Sequence, residues 1–233
     1  MSPKKSVIIV AGGRGLRMGK DIPKQFIAIG GRPVLMHTIE SFTRWDPDIR
    51  IVVVLPDDQF DYWKAFCRDH NFTAEHQLAA GGETRYLSVK NGLKHIGNAD
   101  LVAVHDGVRP FASRETIERC FHAALENGAA IPVMEVVESL REIDEDGAKS
   151  RRVLRSNYRT VQTPQVFRAA IITNAYELPF SNEFTDDASV VEAAGHNITL
   201  VDGNPENIKI TSPFDLIIAE AVLSGIAEEH KAH

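Results

Sequence analysis

Short apolar runs alternate along the chain with segments whose apolar residues recur every three or four positions. The runs predict strands at residues 7–10, 51–55, 101–106, 129–137 and 198–201. The other segments predict helices at residues 34–43, 58–70, 83–95, 113–126, 168–177 and 187–194. Continuous apolar strands separated by helices are typical of a mostly parallel sheet that is covered on both faces. We therefore expect an α/β fold with a Rossmann-like sheet.

The pattern changes between residues 139 and 161, where charged residues surround a Glu-Asp-Gly turn. Two extended halves flank this turn, as in a β-hairpin. We interpret residues 139–160 as a projecting β-arm of a single domain that spans residues 1–233. The last helix is predicted to begin at "TSPFD", where Ser212 can cap it and Pro213 takes the first helical position.

Composition narrows the range of functions. The formal net charge is −6, so the chain has no global positive field to bind nucleic acid, and small phosphorylated ligands are favoured. The first apolar run is too short for a signal peptide or a membrane span. Cys67 and Cys120 lie in predicted helices and are too few for a disulfide framework. We expect a cytoplasmic protein without a nucleic-acid or membrane partner.

The segment "VAGGRGLRMGKDIPKQF" follows the first strand and combines four glycines with several cations. A dinucleotide fingerprint would place glycine where Met18 stands and an acidic residue about twenty positions further on. A P-loop would place glycine at Arg14 and a hydroxyl at Asp21. Neither pattern is met. A tight turn with positive φ remains one interpretation; an anion-binding turn followed by Arg17 and Lys24 is the other.

Six ordered motifs extend this picture: "AGGRGLRMG…IPKQF", "GGETRYLSV", "VHDGVRPF", "TPQVF", "FTDDAS" and "NIKIT". Together they resemble the 2-C-methyl-D-erythritol 4-phosphate cytidylyltransferase family, over residues 7–223. The resemblance implies a fold of the nucleotide-diphospho-sugar transferase type. It also implies a homodimer joined through the extended arm.

The resemblance assigns residues to the nucleotide side. It places Ala11, Gly12, Gly13 and Gly15 in a loop that binds the triphosphate of CTP, and Gly82 and Ser88 at the cytosine base. Arg17 and Lys24 match the stabilisers of the transition state. Ser88 also lies in a helical pattern, so an ordinary helix-surface serine is the alternative.

On the acceptor side, the resemblance implies contacts from Asp106, Arg109, Ser139, Thr185 and Asp186. Asp106 is also the candidate ligand of a divalent metal, Mg²⁺; a salt bridge to Arg109 or a helix cap is its alternative. Thr185 or Asp186 can equally cap the following helix. Glu138-Ser139 replaces the usual Asp-Thr of the family.

Arg155 and Lys209 match the residues that position the attacking phosphate. Lys209 stands between Ile208 and Ile210 in a predicted short strand, so it faces away from them and needs an anionic partner.

The resemblance implies a magnesium-dependent transfer of a cytidylyl group from CTP to methylerythritol phosphate, with release of pyrophosphate. A ribitol-5-phosphate cytidylyltransferase is the nearest alternative, and the stretch "TDDAS" favours methylerythritol phosphate over ribitol phosphate as the acceptor. A nicotinamide-dependent oxidoreductase lacks support because the third glycine and the ribose-binding acid are missing. A non-catalytic nucleotide-binding regulator would not need Arg17, Lys24 and Lys209 together.

Overall fold

A computed structural model describes residues 2–13, 22–144 and 146–229. Its strands are β1 (Lys5–Val10), β2 (Ala28–Ile29), β3 (Arg32–Pro33), β4 (Arg50–Leu55), β5 (Gln77–Ala80), β6 (Leu101–Asp106), β7 (Ala129–Glu135), β8 (Arg141–Ile143), β9 (Ser150–Arg152), β10 (Arg159–Val161), β11 (Gln165–Arg168) and β12 (Thr199–Asp202). Its helices are α1 (Val34–Trp45), α2 (Phe60–Asp69), α3 (Arg85–Leu93), α4 (Arg114–Asn127), α5 (Ala169–Ala175), α6 (Asp187–Ala193) and α7 (Pro213–Glu229). The α/β expectation is confirmed.

The central sheet is mostly parallel. β5, β4, β1 and β6 are neighbours in that order and run the same way. β11 then enters antiparallel to both β6 and β7, so β7 points in the same direction as β6. β12 adds to β7 in parallel, and β10 pairs with it antiparallel. The parallel strands β1, β4, β5, β6 and β7 thus bring their carboxyl ends to one edge, where ligands bind in open α/β sheets.

Two apolar layers hold the helices on the sheet. Successive side chains of a strand point to opposite faces, and β1 shows this directly. Val7 and Ile9 pack with α1, α2 and α4, whereas Ile8 packs with α3, α5 and α6. All three side chains are fully buried. Because helices cover both faces of the sheet, its strands are unbroken apolar runs rather than alternations of apolar and polar residues.

The helix starts follow their capping residues. Ser113 and Thr84 accept hydrogen bonds from the third residue of α4 and α3. At the start of α7, the hydroxyl of Ser212 accepts the backbone N–H of Asp215. Within the described residues, no helix combines the length and the apolar character that a membrane span requires.

The two extended halves predicted in the charged segment pair as β8 and β9, and every residue of these strands is exposed. We call residues 136–158 the ribbon segment. The sequence pattern does not predict β5, β10, β11 or the small β2–β3 hairpin, because these strands have only two to four residues and most of them contain polar side chains.

Candidate active site

The carboxyl ends of β1 and β6 lie side by side, with Val10 opposite Asp106. The chain leaves β1 as Ala11-Gly12-Gly13 and leaves β6 as Gly107. A Cβ atom on Gly107 would lie 2.8 Å from the Cβ of Ala11, so only glycine allows the two loops to approach this closely. The close approach places Ala11, at the start of the glycine-rich loop, beside the end of β6 that carries Asp106.

Asp106 is the buried centre of an ion-pair cluster. Its Oδ2 atom lies 3.1 Å from Nε of Arg109 and 3.1 Å from Nζ of Lys209. The salt bridge to Arg109, which the sequence offered as an alternative for Asp106, is therefore present. Arg109 also donates a hydrogen bond from Nη1 to the carbonyl of Asn207. Two cations meet one carboxylate, which leaves a formal excess of one positive charge.

The charge state of Asp106 follows from its neighbours. Burial by itself would raise the pKa of this carboxyl, but Lys209, followed by Arg85 and Arg109, holds the pKa well below its ordinary value. Asp106 is therefore ionised at neutral pH. Its ion pairs to Arg109 and Lys209 both use Oδ2, so Oδ1 lies outside these two pairs.

A buried histidine and threonine fix the backbone of Asp106. The N–H of Asp106 donates to Oγ1 of Thr163, and this oxygen lies 3.0 Å from Nδ1 of His105. Nε2 of His105 lies 2.9 Å from the carbonyl of Arg109, which can only accept. Burial lowers the pKa of His105 to about 4, so the ring is neutral, carries its proton on Nε2 and accepts the hydroxyl of Thr163.

Lys209 reaches Asp106 from a segment that is not a strand, and the predicted short strand is wrong. A side-chain hydrogen bond and a backbone hydrogen bond hold this segment to its neighbours. Nδ2 of the buried Asn207 donates to the carbonyl of Thr163, and the N–H of Ile210 donates to the carbonyl of Val108. The prediction that Lys209 needs an anionic partner is consistent with its ion pair to Asp106.

Lys24 lies close to the glycine-rich loop. It begins a 3₁₀ turn, Lys24–Phe26, and a Cβ atom on Gly13 would lie 3.1 Å from its Cε atom. Phe26 anchors this turn by stacking on Trp63 and Phe66. The remaining predicted loop residues, Gly15 and Arg17, lie outside the described residues.

Gly82 and Ser88 hold each other in the loop after β5. The N–H of Gly82 donates to Oγ of Ser88, which itself donates to the carbonyl of Thr84. Ser88 is buried, so it is not a helix-surface serine. A Cβ atom on Gly82 would lie 2.4 Å from the Cβ of Leu87. The hydroxyl of Ser88 thus shapes a tight loop that presents backbone groups at the edge of the sheet.

Asp186 caps α6. Its Oδ1 accepts the N–H of Ser189, whose hydroxyl lies within reach of the backbone N–H of Asp186 in return. Its Oδ2 accepts a hydrogen bond from Gln165 on β11. Thr185 is exposed. Of the two residues, Asp186 therefore has the structural role that the sequence offered as an alternative, and Thr185 leaves its side chain accessible.

Ser139 and Arg155 belong to the ribbon segment. Ser139 is exposed, and Arg155 donates a hydrogen bond to the carbonyl of Val137 within the same segment. The structure therefore places these two predicted acceptor contacts on the ribbon rather than in the ion-pair cluster.

Sequence reasoning missed a second ion pair. Arg85, the first residue of α3, makes a two-pronged pair with Asp187, the first residue of α6, at 2.8 and 2.5 Å. The hydroxyl of Tyr176 donates to Asp187 at 2.6 Å. The second acid of "FTDDAS" and the arginine of "GGETRYLSV" were the available signals, but nothing in the sequence links residues that are 102 positions apart.

The arrangement fits phosphate chemistry. Ala11, Gly12 and Gly13 at the start of the glycine-rich loop, Lys24 and the cations beside Asp106 lie at one edge of the sheet, where they can neutralise charge on transferring phosphates. Within residues 2–13, 22–144 and 146–229, no three His, Cys, Asp or Glu side chains gather into a metal cluster. The oxygen chemistry of ionised Asp106 fits Mg²⁺ when substrate phosphates supply further ligands.

Solved structures share this fold. The synthase of 4-diphosphocytidyl-2C-methyl-D-erythritol from Anaerococcus prevotii superposes with a TM-score of 0.81 at 33% identity, covering 95% of this chain and 96% of that one. The cytidylyltransferase from Thermus thermophilus gives 0.76 at 34% identity, covering 94% and 98%. Fold and site together define a nucleotidyltransferase-like α/β protein.

Sequence comparison identifies the family within this class. The family model described as IspD, 2-C-methyl-D-erythritol 4-phosphate cytidylyltransferase, matches residues 6–225. The cytidylyltransferase of that name from Bacteroides thetaiotaomicron is 54% identical over 94% of this chain and 100% of the relative. The one from Bacillus licheniformis is 38% identical over 97% and 98%. The chain belongs to the 2-C-methyl-D-erythritol 4-phosphate cytidylyltransferase family, which confirms the resemblance.

Proposed function

We propose that the protein transfers the cytidylyl group of CTP to 2-C-methyl-D-erythritol 4-phosphate. An oxygen of the acceptor phosphate attacks the α-phosphorus of CTP, the bond to the β-phosphate oxygen breaks, and pyrophosphate leaves. The products are 4-diphosphocytidyl-2-C-methyl-D-erythritol and pyrophosphate. The observation that carries this proposal is the Asp106 cluster, with its two cations, directly beside the glycine-rich loop.

Catalysis rests on alignment and charge neutralisation, because the attacking phosphate is already an anion and needs no strong base. Gly12, Gly13 and Gly15 hold the triphosphate through backbone N–H groups, and Ala11 fixes the start of this loop, because its own N–H donates to the carbonyl of Val54. Arg17 and Lys24 stabilise the charge that builds on the phosphates. Gly82 and Ser88 form the loop that receives the cytosine base. Ser88 acts there by holding the N–H of Gly82.

The acceptor is oriented by Lys209 and Arg155, and Asp106, Arg109, Ser139, Thr185 and Asp186 complete its pocket. Lys209 supports this role because 43% of its side chain stays exposed while it touches Asp106. Its ammonium group is thus accessible to an anion. Asp106 keeps the lysine in place and accepts hydroxyl groups of the acceptor.

Asp106 is also the residue of this chain that would hold Mg²⁺. Magnesium supplies Lewis-acid neutralisation of the triphosphate when it is bound. The low pKa of Asp106 supports this assignment, since a metal ligand of this kind must be deprotonated.

Two copies of the chain form a dimer through the ribbon segment. Within and beside it, the large apolar side chains of Val137, Ile143, Leu154, Tyr158 and Val161 are exposed. Such a concentration of exposed apolar residues is typical of an interaction surface. Exchange of ribbons delivers Ser139 and Arg155 to the acceptor pocket of the partner subunit. We assign the enzyme to the cytoplasm.

Pyrophosphate release tests the reaction. CTP, UTP, ATP and GTP are each combined with methylerythritol phosphate or ribitol 5-phosphate, with and without EDTA. Release only with CTP and methylerythritol phosphate, abolished by EDTA, is the expected result. Release with ribitol phosphate instead would overturn the acceptor assignment and leave the nucleotide assignment intact.

A further inference from the structure

The Arg85–Asp187 pair connects the two substrate sides of the site. Arg85 starts α3, directly after the Gly82 loop that is assigned to the cytosine base. Asp187 starts α6, directly after Thr185 and Asp186, which are assigned to the acceptor. The pair therefore joins the base loop to the acceptor stretch across 102 residues of sequence.

The geometry of the pair is rigid. The planar guanidinium of Arg85 uses two nitrogens, one on each carboxylate oxygen of Asp187, and such a fork fixes orientation as well as distance. Asp187 is fully buried, and the hydroxyl of Tyr176 binds its Oδ1 as a third donor. About a third of Arg85 remains exposed, 32% of its side chain. The pair is thus anchored from the buried side and open to solvent at the arginine.

We propose that Arg85 and Asp187 are positioning residues that set the acceptor stretch relative to the nucleotide loop. This inference rests on the proposed function. The charge of Arg85 also reaches Asp106 and contributes to its low pKa, which indicates that the pair lies near the cluster. Neither residue has to touch the reacting atoms, because their effect passes through Thr185, Asp186 and the Gly82 loop.

An electrostatic role and a positioning role predict opposite results for Asp187→Asn. The asparagine keeps the shape of the side chain and an acceptor for Tyr176, but it removes a negative charge. If only charge mattered, the freed cation of Arg85 would strengthen binding of the anionic acceptor and lower its KM. If the fork positions the acceptor stretch, the loss of the second prong loosens α6 and raises this KM.

The test measures KM and kcat for both substrates in wild type, Asp187→Asn, Arg85→Lys and Glu40→Gln. Glu40 makes a similar two-pronged pair with Arg32, at 3.1 and 2.6 Å. Arg32 and Glu40 line a cavity with Arg50 and Gln77, the first residues of β4 and β5, at the edge of the sheet opposite to the site. Glu40→Gln is therefore a matched control for the loss of an arginine fork.

We expect Asp187→Asn and Arg85→Lys to raise KM for the acceptor about tenfold or more, which is the scale of one charge-assisted fork. Their KM for CTP changes less, and Glu40→Gln changes neither KM. A lower melting temperature with an unchanged acceptor KM would show that the pair only stabilises the fold and would overturn the inference. A lowered acceptor KM would overturn it as well.

Arg85→Lys decides the question if Asp187→Asn does not fold, because it keeps the charge on Asp187 compensated and removes only the fork. The activity of the wild type distinguishes a failure of the proposed function from a failure of the positioning role. An inactive wild type with CTP and methylerythritol phosphate refutes the proposed function, whereas an active wild type with unaffected variants refutes the positioning role alone.

Discussion

Replacement of Lys209 by alanine should separate catalysis from stability. Nζ of Lys209 lies 3.1 Å from Oδ2 of Asp106, and 43% of the lysine side chain is exposed. After the replacement, Asp106 still pairs with Arg109. Because water reaches the exposed part of Lys209 and Arg109 still compensates the buried carboxylate, we expect the free energy of unfolding to fall by only about 1 kcal/mol.

The expected loss of activity is much larger. Two unit charges about 4 Å apart interact by about 4 kcal/mol at an effective dielectric constant of about 20, which corresponds to roughly a thousandfold in rate. Water reaches the exposed part of Lys209 and screens some of this energy. We therefore expect kcat/KM for methylerythritol phosphate to fall by about a hundredfold.

The assay is pyrophosphate release at varied acceptor and saturating CTP, with thermal unfolding of the same preparations. Lys64→Ala is the matched control, because Lys64 is also about half exposed and pairs with an aspartate, Asp61, at 3.4 Å. This control should keep wild-type kinetics. A folded Lys209→Ala protein with kcat/KM within about threefold of wild type would refute the assignment of Lys209 to the acceptor phosphate.

Three further results are expected. Burial lowers the pKa of His76, and Nε2 of its ring accepts the N–H of Trp63. The contribution of this neutral histidine to the free energy of unfolding is therefore fully present above about pH 6.5 and is lost as pH falls through the lower pKa of the folded state. Unfolding monitored by Trp fluorescence between about pH 7 and 5 checks this. Gly82→Ala should raise KM for CTP at least about tenfold, because the new Cβ would lie 2.4 Å from the Cβ of Leu87. Gly225→Ala is the control, since its new Cβ meets open space, and equal KM values for CTP in the two variants would contradict this role of the Gly82 loop. Chelation by EDTA should stop turnover and added Mg²⁺ should restore it, without a change in melting temperature; turnover that survives chelation would exclude the metal.

Much of the fold could be predicted from local sequence. Apolar runs such as residues 51–55 are long and flanked by helical periodicity, and the structure has β4 there. Short strands were missed because their stability comes from neighbours: Gln165–Arg168 forms a strand only because β6 and β7 flank it on both sides. For the same reason, the antiparallel entry of β11 could not be predicted.

The candidate site, too, could be predicted only in part. Motif resemblance located Asp106, Arg109 and Lys209, which the structure brings into one cluster. It located Ser88 but not its bond to Gly82, since a side chain that shapes a loop and one that faces a ligand give the same motif. The Lys209 segment was predicted as a strand because Ile208 and Ile210 flank the lysine, whereas the amide of Asn207 and the backbone N–H of Ile210 hold the segment without strand pairing.

If ribbons exchange as proposed, the direction of β7 connects activity to protein concentration. Because β11 lies between them antiparallel to both, β6 and β7 point the same way, and the ribbon segment leaves the sheet at the edge that carries Asp106. With ribbons exchanged as proposed, each acceptor pocket is completed by a neighbour, while each nucleotide loop belongs to its own chain. Dilution below the dissociation constant of the dimer then lowers turnover per chain while binding of CTP persists, so that assembly itself sets how much enzyme is active.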